Sequence, residues 1–229
     1  AGLDGRIVVD SRPREDALGA KWDRCLDYEA SVYYPQADYT PYVTPAFDTK
    51  ILEAAAVFPD GIGVVYSNPA IVRFPRSQGA TRKRVDLLGF MYPPLFPYWF
   101  VDHWLHDIAL LIDRISFADI DVDTGPAKLP TQEMREAPFW ATFFDSQRLV
   151  RRSQALAIID SPEFLDPEWR KELLRRNYPM VEFKSQRIND AVRSMNWPAT
   201  LPGGARYDRL KKRAGEMMLA EWPAMQREI

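Results

Sequence analysis

With 229 residues, 26.4 kDa and a hydrophobic share of 46%, the chain can bury a sizeable core in one domain with an appendage or in two small domains. Its 32 acidic and 30 basic residues leave a net charge of -2 with no long run of one sign, which argues against a polyanionic partner and hence against nucleic-acid binding. Cys25 is the only cysteine, so an intramolecular disulfide and a cysteine-rich zinc site are both excluded. A reducing, cytoplasmic setting is expected, and no stretch is long and apolar enough to span a bilayer. The chain begins at Ala1 with neither an initiator Met nor a signal-like apolar stretch, which reads as a processed or trimmed product.

In chain order, Arg6-Ile7-Val8-Val9-Asp10 is a short β-branched run closed by Ser11-Arg12-Pro13 and predicts a buried strand. Leu18, Trp22, Cys25 and Leu26 share one helical face. Ser31-Val32-Tyr33-Tyr34 predicts a second strand. Thr44, with Pro45 behind it, predicts the cap of a helix running to about Val57. After the break at Pro59-Asp60-Gly61, the run Ile62-Gly63-Val64-Val65-Tyr66 predicts a third strand. This alternation is that of an α/β domain with a largely parallel sheet.

Ser67 to Lys83 reads as a surface loop, and Val85 to Phe100 is rich in proline and aromatic residues. Trp104, Leu105, Ile108, Leu111, Ile112 and Ile115 keep the three-and-four spacing of an amphipathic helix. Asp119 to Asp123 alternates polar and apolar and predicts a last strand, followed by a linker over Gly125 to Pro130. From Gln132 onward strand signals nearly vanish. Helices are expected over Met134 to Ile159, Asp166 to Arg176 and Tyr207 to Arg227, with a flexible joint over Asn196 to Ala205.

Three constellations can carry chemistry. Asp10-Ser11-Arg12 and the following Gly19-Ala20-Lys21-Trp22 place polar groups after a strand and in the next helix, at the edge where α/β sheets bind ligands. There an acid can accept from a base or ribose, and Lys or Arg can meet phosphate; the plainer reading is a turn with solvated charges. Gln36-Ala37-Asp38 also ends a strand, but offers one carboxylate where a hard cation wants several oxygens, and a lone loop Asp is usually a turn or cap residue. In Val101-Asp102-His103-Trp104-Leu105-His106-Asp107, Asp102 and His106 share a helix face and Asp107 points elsewhere. Asp102 is either a helix cap with His106 as a surface neighbour, or a general base beside a pocket. The aromatic run from Phe90 to Phe100 is a sugar-stacking wall or core. Arg151-Arg152 and Lys211-Lys212-Arg213 read as solvated helix faces.

Together four stretches resemble the family-two glycosyltransferases of the A-type fold. They are Gly19 to Asp23; Tyr33 to Asp38 with Thr44-Pro45-Ala46-Phe47; Pro59 to Tyr66; and Leu88-Gly89-Phe90 with Phe100 to Ala109, the most specific of the four. The resemblance covers roughly Arg6 to Val122. It implies a glycosyltransferase-like α/β domain over 1–130, its mostly parallel sheet flanked by helices, with a mainly helical region over 131–229. It also implies transfer of a sugar from a nucleotide-sugar donor to an acceptor hydroxyl. Asp102 would take the acceptor proton, Asp10, Arg12 and Lys21 would touch the nucleotide, and Asp38 would hold Mn²⁺ or Mg²⁺, directly or through water.

The sequence departs from the family pattern in three places. Gln36 stands where the Asp-x-Asp motif has its first acid, no His follows His106 to complete a metal site, and the opening strand-helix-strand of the nucleotide pocket has no counterpart before Arg6. A catalytically inactive binding or scaffold domain derived from a glycosyltransferase is the alternative. A third reading has the C-terminal helices as the working part and the α/β portion as their platform.

Overall fold

The computed structural model describes residues 17–35, 42–67, 77–97, 99–121, 136–176 and 205–225. The strand expected at Ile7 to Val9 lies outside them. Helix α1 (Leu18–Trp22) continues into a 3₁₀ turn, Asp23–Asp27. There follow β1 (Val32–Tyr33), α2 (Phe47–Ala55), β2 (Val64–Tyr66), β3 (Gln78–Thr81), α3 (Arg82–Leu88), α4 (Val101–Leu111) and β4 (Ile115–Phe117). The C-terminal part holds α5 (Ala137–Ser146), α6 (Arg148–Ile159), a helix α7 seen over 168–176, and α8 (Ala205–Met225).

The α/β class is as expected, but the sheet is not mostly parallel. Its order is β1-β3-β2-β4, and two of its three pairings are antiparallel. The cause is β3, which runs against the other three strands, so β1, β2 and β4 share one direction. The region expected as a loop up to Lys83 thus supplies a central strand and the start of α3. Gln78-Gly79-Ala80-Thr81 shows no apolar alternation because every one of its residues is buried. Gly79 is needed there: a Cβ would lie 2.4 Å from the Tyr34 ring and 2.6 Å from the Tyr33 carbonyl oxygen.

Other expectations shift for identifiable reasons. Helix α2 starts at Phe47, behind Ala46 in the left-handed region (φ 51°), and Thr44 does not cap it. The Thr44 hydroxyl instead accepts from the Asp121 N–H at 2.7 Å. Among the described residues the last strand is Ile115–Phe117; pairing with β2 ends at Phe117 opposite Tyr66, so Asp119 to Asp121 carry no strand, and Val122 and Asp123 lie outside the described residues. The single helix expected from Met134 to Ile159 is two helices, broken at the buried Gln147 (φ -95°, ψ 17°).

Side chains alternate across β2. Val64 and Tyr66 enter the larger core with α4, whereas Val65 faces Ile51, Ala54 and Phe58 beneath α2. The larger core also takes in the C-terminal helices: Trp140, Phe143 and Phe144 of α5 pack on Phe96, Phe100 and Trp104. The aromatic run is therefore largely core, with Tyr92, Phe96 and Phe100 fully buried.

Arg151, expected on a solvated face, is buried as well. Its Nε donates to the Asp107 carboxylate at 2.7 Å and its guanidinium lies 3.7 Å from the Phe144 ring centroid, joining α6 to α4. A second buried network centres on Arg114, which meets Asp60 at 3.2 Å and Asp166 at 2.7 Å, tying the entry of β4 to the segment before α7. Among the described residues no helix is long and apolar enough to cross a membrane.

Candidate active site

Because β1, β2 and β4 share a direction, their carboxyl ends lie at one edge of the sheet. Tyr66 is the last residue of β2, and its hydroxyl lies 2.8 Å from Nδ1 of His106 on α4. One turn earlier on the same helix face stands Asp102. The helix opens after Phe100, whose left-handed φ of 73° turns the chain sharply out of the aromatic segment. Asp102 consequently falls in the first turn, where backbone N–H groups lack intrahelical partners. Its Oδ1 accepts from the His103 backbone N–H at 2.9 Å and stands 3.0 Å from the His103 Nδ1.

Asp102 is not the helix cap, a place held by Phe100, but its carboxylate satisfies a first-turn donor and remains partly exposed. Its side chain keeps 40% exposure, while burial is the foremost influence on its titration. Burial favours the neutral acid, but the adjacent His103 charge and hydrogen bonds outweigh it and hold the carboxyl below its usual range. Asp102 is therefore ionised at neutral pH.

His106 is not the surface neighbour expected. Burial pushes its pKa down to about 4, so it is neutral in the physiological range. Burial likewise raises the Tyr66 hydroxyl well above its ordinary value. In the tautomer protonated at Nε2, Tyr66 donates to Nδ1 of a neutral ring. Tyr66 also feels the charge of Asp102, as does Tyr92, whose hydroxyl donates to the Gln78 backbone carbonyl at 3.4 Å. Asp107 points away toward Arg151, as its spacing implies.

Of the other expected site residues, Lys21 is described, exposed in the last turn of α1. That helix is seated on the aromatic segment: a Cβ on Gly19 would fall 2.4 Å from the Pro93 carbonyl oxygen. Asp10, Arg12 and Asp38 lie outside the described residues. Among the described residues no group of three or more His, Cys, Asp or Glu is placed to hold a metal ion. Sequence reasoning missed Tyr66, Gln78, Arg84 and Tyr92. Only Tyr66 carried a usable signal, as the polar end of an apolar strand.

No family model, no curated protein and no solved structure matches this chain.

Proposed function

We propose that the protein is glycosyltransferase-like and moves a sugar from a nucleotide-sugar donor to an acceptor hydroxyl, with Asp102 as general base. The observation that carries this reading is Asp102 itself: ionised, hydrogen-bonded to His103, and partly exposed one turn before His106, which meets Tyr66 at the carboxyl end of β2. Open α/β sheets bind ligands beyond the carboxyl ends of their strands. The sequence resemblance assigns the same residue to the acceptor side of an A-type glycosyltransferase.

In the proposed step the acceptor oxygen bonds to the anomeric carbon, the bond from that carbon to the nucleotide diphosphate breaks, and the acceptor proton passes to Asp102. A carboxylate held below its usual pKa is a weak base toward a resting hydroxyl. It suffices when the hydroxyl grows acidic as its oxygen attacks. Lys21, Asp10 and Arg12 are assigned to the nucleotide and Asp38 to Mn²⁺ or Mg²⁺. The described residues do not themselves make a metal site, and no step here depends on a cation.

The test is transfer from a panel of sugar nucleotides by the parent protein and by Asp102→Asn. Asn keeps shape and helix-capping capacity but cannot take a proton. Turnover is expected to fall by about a hundredfold or more, while nucleotide-sugar binding by calorimetry stays unchanged. Undiminished turnover in the variant would remove Asp102 from the mechanism. Binding without transfer by the parent protein would favour the inactive binding-domain alternative.

A further inference from the structure

Arg84 is the third residue of α3 and is completely enclosed, at 0% exposure. Its Nε, Nη1 and Nη2 all lack a hydrogen-bond acceptor. Gln78 on β3, at 3% exposure, has neither its amide oxygen nor its amide nitrogen partnered. The two residues have neighbours in common, Tyr66 and Tyr92. Gln78 pairs with Tyr66 across β2 and β3, which sets both side chains on the sheet face toward α4. Tyr66 and Tyr92 are the foremost electrostatic neighbours of Arg84, and the Tyr92 hydroxyl reaches the Gln78 carbonyl.

Asp23, the acid whose charge acts on Arg84, makes no hydrogen bond to it. Asp23 influences Arg84 only at a distance, and its Oδ1 is occupied by the Met91 and Tyr92 N–H groups at 3.2 and 3.1 Å. The cluster is therefore rich in N–H donors and carries a positive charge, with the Gln78 amide oxygen its one unpartnered acceptor. A guanidinium presents its donors as a planar fork that matches two oxygens of a carboxylate or phosphate. A buried cation without such a partner is costly, and an apolar side chain of similar volume would serve packing alone better.

We propose that Arg84 and Gln78 form an internal oxyanion site for one phosphate or carboxylate group, between β3, α3 and the segment carrying Tyr92. The proposal does not depend on the glycosyl-transfer reading.

Thermal unfolding and calorimetry of the whole chain, in inorganic phosphate, acetate or chloride at matched ionic strength, test the site. Phosphate or acetate is expected to raise the wild-type midpoint saturably over chloride, and the more effective of the two identifies the chemistry. Gln78→Leu should weaken that binding by about tenfold, the loss of one hydrogen bond to a charged group. Arg84→Met should abolish the response while being at least as stable as wild type in chloride. A wild-type midpoint indifferent to both oxyanions would overturn the proposal, as would an undiminished response in Arg84→Met. Should that variant fail to fold, the wild-type titration and Gln78→Leu decide the matter.

Discussion

Asp23 offers a direct test of how burial and hydrogen bonding compete in this core. Its carboxylate accepts from two backbone N–H groups, which favours ionisation, yet burial dominates and raises its pKa from 3.8 to about 6. The protonated form is thus the better fit to the folded chain. Folded protein holds the proton over a range where the unfolded chain has lost it. Stability from this group is therefore complete below pH 3.8 and is lost as pH rises through about 6. Asp23→Asn mimics the protonated acid and keeps the amide oxygen for Met91 and Tyr92. At about 1.4 kcal/mol per pKa unit, the displacement sets a ceiling of about 3 kcal/mol. Asp23 is only half-buried, and allowance for solvent screening brings the expected gain to about 1–2 kcal/mol. His106 contributes the opposite slope, its stability being lost as pH falls from 6.5 through about 4. Both proteins share that contribution, so it cancels in their difference. Urea unfolding of parent and variant between about pH 3 and pH 8 should give equal stabilities at the acid end and an advantage for Asn that grows through about pH 6. A difference that does not vary with pH, or an Asn variant less stable than the parent at pH 8, would refute the reasoning.

Two further outcomes follow from the packing. Asp107→Ala should destabilise by about 3–5 kcal/mol, because it leaves the Arg151 guanidinium buried without its carboxylate, whereas Asp107→Leu combined with Arg151→Met should recover much of that loss; denaturation midpoints of the parent and the two variants check this. Gly79→Ala should cost about 3 kcal/mol, since the added Cβ meets the Tyr33 carbonyl, a backbone atom that cannot turn aside; the same measurement applies, and a near-neutral effect would show that β1 can shift to admit the methyl group.

What the sequence disclosed follows from which signals are local. The β-branched run ending at Tyr66 and the apolar spacing of α4 announce themselves, because burial on one face leaves a periodic trace. Strand β3 leaves none: its Gln-Gly-Ala-Thr composition answers to close neighbours, the Tyr34 ring above all, rather than to alternation. Missing it also hid the strand directions, since the reversal lies wholly in β3. Thr44 has the chemistry of a cap and spends it on Asp121, 77 residues away, a choice made by tertiary contact. Asp102 came to notice through resemblance and helix position, but its partners across the fold did not. Tyr66 and His106 are 40 residues apart, and only the sheet and α4 bring them together. Arg84 was hidden by company: Arg82-Lys83-Arg84 has the composition of a solvated turn, and only the third of these points inward.

The placement of β3 also constrains the order in which the sheet can be assembled. β1 precedes β2 in the chain, yet it touches the sheet only through β3, which is made later in sequence. When the chain leaves the ribosome, β1 has no edge to join until residues up to Thr81 have emerged and folded back on β2. Its two residues, Val32 and Tyr33, then close a loop of almost fifty residues for a very short ladder. β1 accordingly cannot dock before β3 has formed its ladder with β2.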